Sequence, residues 1–233
     1  MQQLPPTLGI LGGMGPVTSA ELMRTIYACN PSRTDQLAPH VVLFSLPAAP
    51  DRCASIHGGS EAAFIDFMIA QLHRLDPLCD KLFIACCTAH YSLPAVPEPL
   101  RRKVISAMAL TDRELARSDE PALLLASTGA YKKRLFQDQC VHADKLRELA
   151  PDEQEIVMGM IFAELKRGHD PMRVVPALTR LLDRHGTRTC VAGCTEFHLV
   201  ARALEARGDT SIRFIDPLSI IAREFSSLVT RDV

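Results

Sequence analysis

The sequence predicts an α/β protein of two similar lobes, each a mainly parallel sheet with helices on both faces, with the active site expected in the cleft between them. Three observations carry this prediction. Short strand-like apolar runs alternate with stretches of helical spacing. The alternation restarts near the middle of the chain, so both halves contain strand–turn–helix units. Each half also has one buried strand that ends in a cysteine with a threonine close behind: Ala85–Cys86–Cys87–Thr88 and Gly193–Cys194–Thr195. Cys86 and Cys194 are 108 residues apart.

The elements follow in order. Thr7–Leu11 is a buried strand and Gly12–Gly15 a tight turn, with Pro16 suited to the first helical position. Residues 19–30 have helical spacing. Val41–Leu46 is the second strand. Glu61–Asp76 is an amphipathic helix with Ala63, Phe64, Phe67, Met68, Gln71 and Leu72 near one face. Lys81–Cys86 is the third strand, the proline-bounded segment 91–100 a loop, and Val104–Ser106 the candidate fourth strand. In the second half Pro121–Ala126 is a strand, followed by the turn Ser127–Gly129 and a helix from Ala130. Helices follow over Glu153–Arg167 and Pro171–His185. Thr187–Ala192 is a strand that leads through Gly193–Glu196 into a helix over Phe197–Arg207. Ile212–Ile215 is the last strand, closed by Asp216–Pro217 and a terminal helix. We assign residues 1–110 plus 213–233 to the N-terminal lobe and 111–212 to the second.

Composition narrows the function. The 233 residues are 47% hydrophobic, enough for a sizeable core. With 26 basic and 27 acidic residues there is no electrostatic footprint for nucleic acid or an anionic membrane. Three tyrosines and no tryptophan argue against a base-stacking surface. No apolar run approaches the roughly 20 residues that span a bilayer. The N-terminus reads as strand and turn rather than signal peptide. A cytoplasmic protein is expected, its eight cysteines mostly thiols.

The motifs bear on several chemistries. The turn Gly13–Met14–Gly15 resembles a dinucleotide fingerprint, but Thr18 stands where the third glycine belongs and the second strand ends without an acidic residue. A helix start of this kind can still receive a small anion. Cys86, Cys87 and His90, like Cys190, Cys194 and His198, are close in sequence, yet no C-x-x-C clip is present. No metal and no cofactor are expected. A Cys86–Cys87 disulfide would distort its peptide. Cys29, Cys79, Cys140 and Cys190 read as buried filler. Cys86 and Cys194 differ, because they end apolar strands in matching contexts. Two thiols on opposite sides of one carbon can invert a stereocentre without a cofactor, one removing a proton and the other returning it. Backbone N–H groups or cations must then stabilise the carbanion-like transition state.

With these motifs the chain resembles the cofactor-independent aspartate/glutamate racemase superfamily, in its aspartate racemase branch. Gly9–Pro16 followed by Thr18 resembles the opening motif. Pro50–Asp51–Arg52, Cys86–His90, Ser127–Gly129, Gly193–Glu196 and Asp216–Pro217 resemble the later motifs, so the match runs almost end to end. The resemblance implies that Cys86 and Cys194 are the catalytic acid/base residues. It implies that Thr88 and Ala89 bind the substrate α-carboxylate, and that Arg52, assisted by Lys166, grips a side-chain carboxylate. Gly13, Met14, Cys87, Ser127, Thr195 and Glu196 complete the implied substrate site. Glu196 and His90 are expected either to orient the thiols or to serve as structural hydrogen-bonding groups. The implied reaction is racemisation of aspartate or glutamate, without pyridoxal phosphate, by a homodimer. Two cations suit an acidic substrate, since an apolar one would leave them unpaired.

There are two departures from the family pattern. Cys87 stands where the family carries Asn, and Ala130 where the central motif has a second Thr. A thiol is a poorer hydrogen-bonding partner than an amide. Other readings therefore stay open: isomerisation or decarboxylation of a small dicarboxylic acid on the same scaffold, or a catalytically weak amino-acid-binding homologue.

Overall fold

The computed structural model describes residues 5–230. The chain forms two compact units. One takes the residues up to Ser106 together with those from Leu218, and the other takes Ala107–Pro217.

The first unit is built on a four-stranded parallel sheet of β1 (Thr7–Gly12), β2 (His40–Ser45), β3 (Lys81–Ile84) and β4 (Val104–Ile105), in the order β2-β1-β3-β4. Parallel strands need crossovers, and helices supply them. β1 pairs on both sides, Leu11 lying opposite Phe44 and Ile84, and five of its six residues are buried. The helix Glu61–Leu75 turns Phe64, Met68, Leu72 and Leu75 inward, the spacing of one helical face. These side chains join Leu11, Leu82 and Ile84 in one core cluster. Each contributes about 2 kcal/mol on burial. Of the face read from sequence, Phe67 and Gln71 are only partly covered and Ala63 is exposed.

The second unit repeats the plan. Its parallel sheet contains β5 (Ala122–Leu124), β6 (Leu146–Arg147), β7 (Thr189–Val191) and β8 (Arg213–Ile215), in the order β6-β5-β7-β8. This is the first unit's strand order over again. Val157, Ile161, Leu178, Leu182, Phe197 and Val200 pack with Leu123 and Cys190 in its core.

The expected strands at 7–11, 41–46, 81–86, 104–106, 121–126 and 187–192 are present within one to three residues. Four details differ. The strand near 213 pairs with β7 and belongs to the second unit, not to the N-terminal lobe. The first crossing between units falls between Ser106 and Ala107, because a helix over Ala107–Ala116 begins there. Segment 91–100 is not a plain loop. It lies in a 3₁₀ helix over Thr88–Ala95 and a short helix over Glu98–Arg101, and Pro97 sits at that helix's entry, where its missing N–H costs nothing. The helix read as continuous over 153–167 runs as α-helix over Pro151–Gly159, then one π turn over Met160–Glu164 and a 3₁₀ turn over Leu165–Arg167.

The turn after β1 depends on Gly13. Its φ is +87°, a left-handed conformation, and a Cβ there would sit 2.1 Å from the Leu46 backbone nitrogen. The Gly13 N–H donates to Ser19 Oγ at 2.9 Å, and that hydroxyl donates to Gly15 O at 2.8 Å. Gly13→Ala is expected to cost about 3 kcal/mol or more, combining left-handed strain with overlap against backbone. Gly59→Ala, at φ +71° with nothing within 4 Å of the added carbon, should cost only the strain, about 1 kcal/mol. Thermal melting of the two variants measures the difference.

Candidate active site

Both candidate cysteines lie just beyond the carboxyl ends of the third strands, β3 and β7, where parallel sheets place ligand sites. In the first unit the Ala85 N–H still pairs with Leu11 O at 3.0 Å. The next N–H, of Cys86, turns back onto Ile84 O at 2.8 Å. Pairing with β1 stops there, and the chain leaves the sheet. In the second unit the same sharp turn is made by Gly193, whose N–H donates to Val191 O at 2.8 Å, and Cys194 N–H then returns to Leu125 O at 2.7 Å. A Cβ on Gly193 would fall 2.8 Å from Leu124 Cδ1 and 2.9 Å from Ala126 Cβ, so this close approach admits only glycine.

After each cysteine the chain coils at once. Cys86 O accepts from Ala89 N–H at 3.2 Å, and Cys194 O from Phe197 N–H at 3.1 Å. Four residues beyond each cysteine stands a fully buried histidine, His90 or His198. His90 Nδ1 lies 3.0 Å from Cys86 O. A carbonyl can only accept, so Nδ1 carries the proton and the ring bolts the turn to the cysteine's own backbone. Burial lowers the His90 pKa to about 4, against the raising effect of its backbone hydrogen bonds to Cys86 and Cys87. The ring is therefore neutral at pH 7. His198 Nδ1 instead meets Asp216 Oδ2 at 2.6 Å, with both side chains buried. This pairing was not read from sequence, although the Cys-x-x-x-His spacing shared by the two halves was a signal for it.

In the first unit the remaining candidates gather around Cys86. Arg52 opens the helix Arg52–Gly58, which the sequence reading did not foresee. Asp51 caps that helix, its side chain accepting from Ala54 N–H at 2.7 Å. Arg52 is 9% exposed, and its Nη2 donates to Met14 O at 2.8 Å. The turn after β1 is thereby joined to the arginine. Tyr91 is stacked on Phe64, its phenol under the influence of Glu61 and Arg52. Desolvation is the main cause that raises its phenol to about 12, so it stays protonated. Cys87, Thr88 and Ala89 are all buried in the turn that follows β3.

In the second unit the candidates form a connected polar cluster. Cys194 Sγ donates to Glu196 Oε2 at 2.9 Å, Thr195 Oγ1 lies 3.5 Å from the same oxygen, and Lys166 Nζ lies 2.9 Å from Glu196 Oε1. Glu196 is 2% exposed. Lys166 stands on the 3₁₀ turn that ends the helix, and its ammonium lies 5.5 Å from the centre of the Phe162 ring. The change of helical pitch at Met160–Arg167 aims Lys166 at Glu196, as such turns often do near functional groups. Ser127 caps the helix Thr128–Lys132, its hydroxyl accepting from Ala130 N–H at 3.3 Å. The candidate residues thus divide as Gly13, Met14, Arg52 and Cys86–Ala89 in one unit and Ser127, Lys166 and Cys194–Glu196 in the other.

Of the four cysteines expected to be buried filler, Cys140 and Cys190 are buried, while Cys29 and Cys79 are only partly covered. Burial pushes the Cys79 thiol to about 11, the Cys140 thiol to about 12 and the Cys190 thiol well above its usual range, so all three stay protonated and unreactive at neutral pH. Among the described residues no three His, Cys, Asp or Glu side chains are placed to hold a metal ion, and no helix is long and apolar enough to cross a membrane.

With strand order, strand-end cysteines and their turns in hand, the chain can be set beside known proteins. Residues 11–225 match the Asp/Glu/Hydantoin racemase family, and the chain belongs to that family. Aspartate racemase from Picrophilus torridus shares its fold with a TM-score of 0.78 at 21% identity, over 97% of this chain and 96% of that one. An aspartate racemase homologue from Pyrococcus horikoshii OT3 superposes with a TM-score of 0.67 at 18% identity, over 96% and 99%. Glutamate racemase isoform RacE1 from Bacillus anthracis gives 0.60 at 15%, over 96% and 81%. The two-lobed α/β fold expected from sequence is the fold of these neighbours. The expected class, an amino-acid racemase and hence an isomerase, is that of the family.

The state of His90 links the cysteine turn to pH. A histidine that titrates near 4 when folded and near 6.5 when unfolded binds protons more readily in the unfolded chain. Stability is therefore complete above about pH 6.5 and falls as pH drops towards 4, by at most about 3 kcal/mol. Denaturant unfolding from pH 4 to 7 is expected to show this slope, and His90→Asn to flatten it.

Proposed function

We propose that the chain racemises an acidic amino acid, aspartate or glutamate, by a two-base reaction in which Cys86 and Cys194 exchange the α-proton. The observation that carries this reading is the repeated device: two sheets of identical strand order, each ending its third strand in a cysteine whose carbonyl starts the following turn. Arg52 supports an acidic side chain, because its buried guanidinium supplies a charge that a carboxylate matches. Thr88 and Ala89 are proposed to hold the α-carboxylate, with Gly13, Met14, Cys87, Ser127 and Thr195 around the substrate. Neither pyridoxal phosphate nor metal enters the proposed reaction. We extend the proposal to a cytoplasmic homodimer. The eight free thiols suit a reducing compartment, and light scattering of the purified chain tests the dimer.

The reaction is tested with single-enantiomer aspartate and glutamate in deuterated water, following α-deuteration and optical rotation together. The wild-type chain should both exchange and invert. Cys86→Ala and Cys194→Ala should each lose about 10²–10⁴-fold in racemisation, the usual contribution of one acid or base. No exchange across a broad amino-acid panel would sink the proposal. Exchange without inversion that survives the loss of either cysteine would show a one-base enzyme instead.

A further inference from the structure

The two cysteines stand in unequal surroundings. Cys194 Sγ lies 2.9 Å from Glu196 Oε2, and Glu196 Oε1 lies 2.9 Å from Lys166 Nζ. Among the described residues the Cys86 thiol makes no hydrogen bond to a carboxylate. Its environment is the turn held by Ala89 N–H and His90. A carboxylate only accepts, so the thiol that meets it must carry its proton. A thiolate at that position would set two anions in contact at a buried site, where charge repulsion is strong. Lys166 balances one negative charge and no more.

From this geometry, and resting on the racemase reading above, we infer that Glu196 holds Cys194 as the proton-bearing thiol of the resting protein. Lys166 acts through Glu196 rather than by gripping the substrate, and Cys86 is the base of the first step. Glu196 and Lys166 are positioning residues for one of two otherwise matched thiols. In that step the Cys86 thiolate takes the α-proton. The C–H bond breaks, an S–H bond forms, and the electron pair stays on the α-carbon, spread into its carboxylate. The Cys194 S–H bond then breaks, its proton passes to the opposite face of the carbon, and the electron pair remains on Cys194. The protein returns to its resting form when Cys194 takes a proton from water and Cys86 releases one. The two enantiomers therefore meet the protein in different protonation forms, one resting and one that must be regenerated. Lys166 takes on a role different from the one implied by resemblance, where it assists at the side-chain carboxylate.

The two roles of Lys166 separate in steady-state kinetics. Lys166→Met in the full chain, with aspartate as substrate, should lower kcat about 10²-fold with little change in KM if the lysine serves the acid through Glu196. A rise in KM at unchanged kcat would show that Lys166 binds substrate and would overturn the inference. A second readout does not need turnover. Iodoacetamide alkylation of Cys194, measured against Cys86 by peptide mass spectrometry at neutral pH, should speed up about tenfold in Glu196→Gln, because an amide can donate to a thiolate where a carboxylate cannot. An unchanged ratio would overturn the inference. Each variant is checked for the wild-type circular dichroism spectrum, and Lys166→Met alone decides the matter if Glu196→Gln fails to fold. If the wild-type chain turns over no amino acid, the racemase reading fails, while the alkylation ratio still tests the hydrogen bond.

Discussion

Parallel pairing on both sides of the third strand is the constraint on which the rest of the structure depends. β3 is flanked by β1 and β4, and β7 by β5 and β8, so neither has a free edge. Buried backbone groups must find partners, and at the carboxyl end of each strand the partners on the sheet run out. The chain answers with the same short turn in both units, at Cys86 N–H onto Ile84 O and at Gly193 N–H onto Val191 O. The cysteines are therefore held by main-chain bonds before any side chain is considered. Gly193 is required because the turn passes against Leu124 and Ala126. Gly13 is required because the neighbouring turn passes against Leu46. A thiol proposed to act on one carbon at close range benefits from such a mount, since rigid elements hold a reacting group better than a mobile loop does.

On this shared frame the two units add different polar groups. The first ties its histidine to the backbone of Cys86 and brings a buried arginine against the carbonyl of Met14. The second ties its histidine to Asp216 and builds a carboxylate and an ammonium around Cys194. A racemase handles mirror-image substrates of equal energy, so nothing in its equilibrium favours one hand. The chain nonetheless surrounds its two matched cysteines with unlike neighbours, and any preference between the hands must arise in the kinetics.

Much of the strand pattern was legible because buried parallel strands read as short apolar runs, and these stand out against the polar crossovers. The candidate cysteines were legible for the same reason: each ends such a run. The helix Arg52–Gly58 was missed because it is short and depends on its Asp51 cap rather than on a long apolar face. The helical turns through 88–101 were missed because the prolines there read as breakers, although 3₁₀ and first-turn positions accept them. The strand Arg213–Ile215 was visible as a strand, but its allegiance was not. Sheet membership rests on the pairing of Cys190 with Phe214 and Val191 with Ile215, which no local pattern encodes. The aim of Lys166 was hidden too, since a change in helical pitch leaves little trace in periodicity.

The second unit is inserted into the first. The chain leaves the first unit after Ser106 and returns at Leu218. The returning helix Pro217–Arg223 buries Leu218, Ile220, Ile221 and Ala222, and Ala222 O accepts from Asn30 Nδ2 at 2.7 Å. During synthesis, then, the unit that begins first is completed last. The inserted unit has all its strands once Ile215 has emerged, whereas the earlier one waits for the final helices with part of its apolar surface uncovered. The order in which the two units are completed therefore runs against the order in which they begin, and the helix that follows Asp216 acts as the closing piece for the first unit.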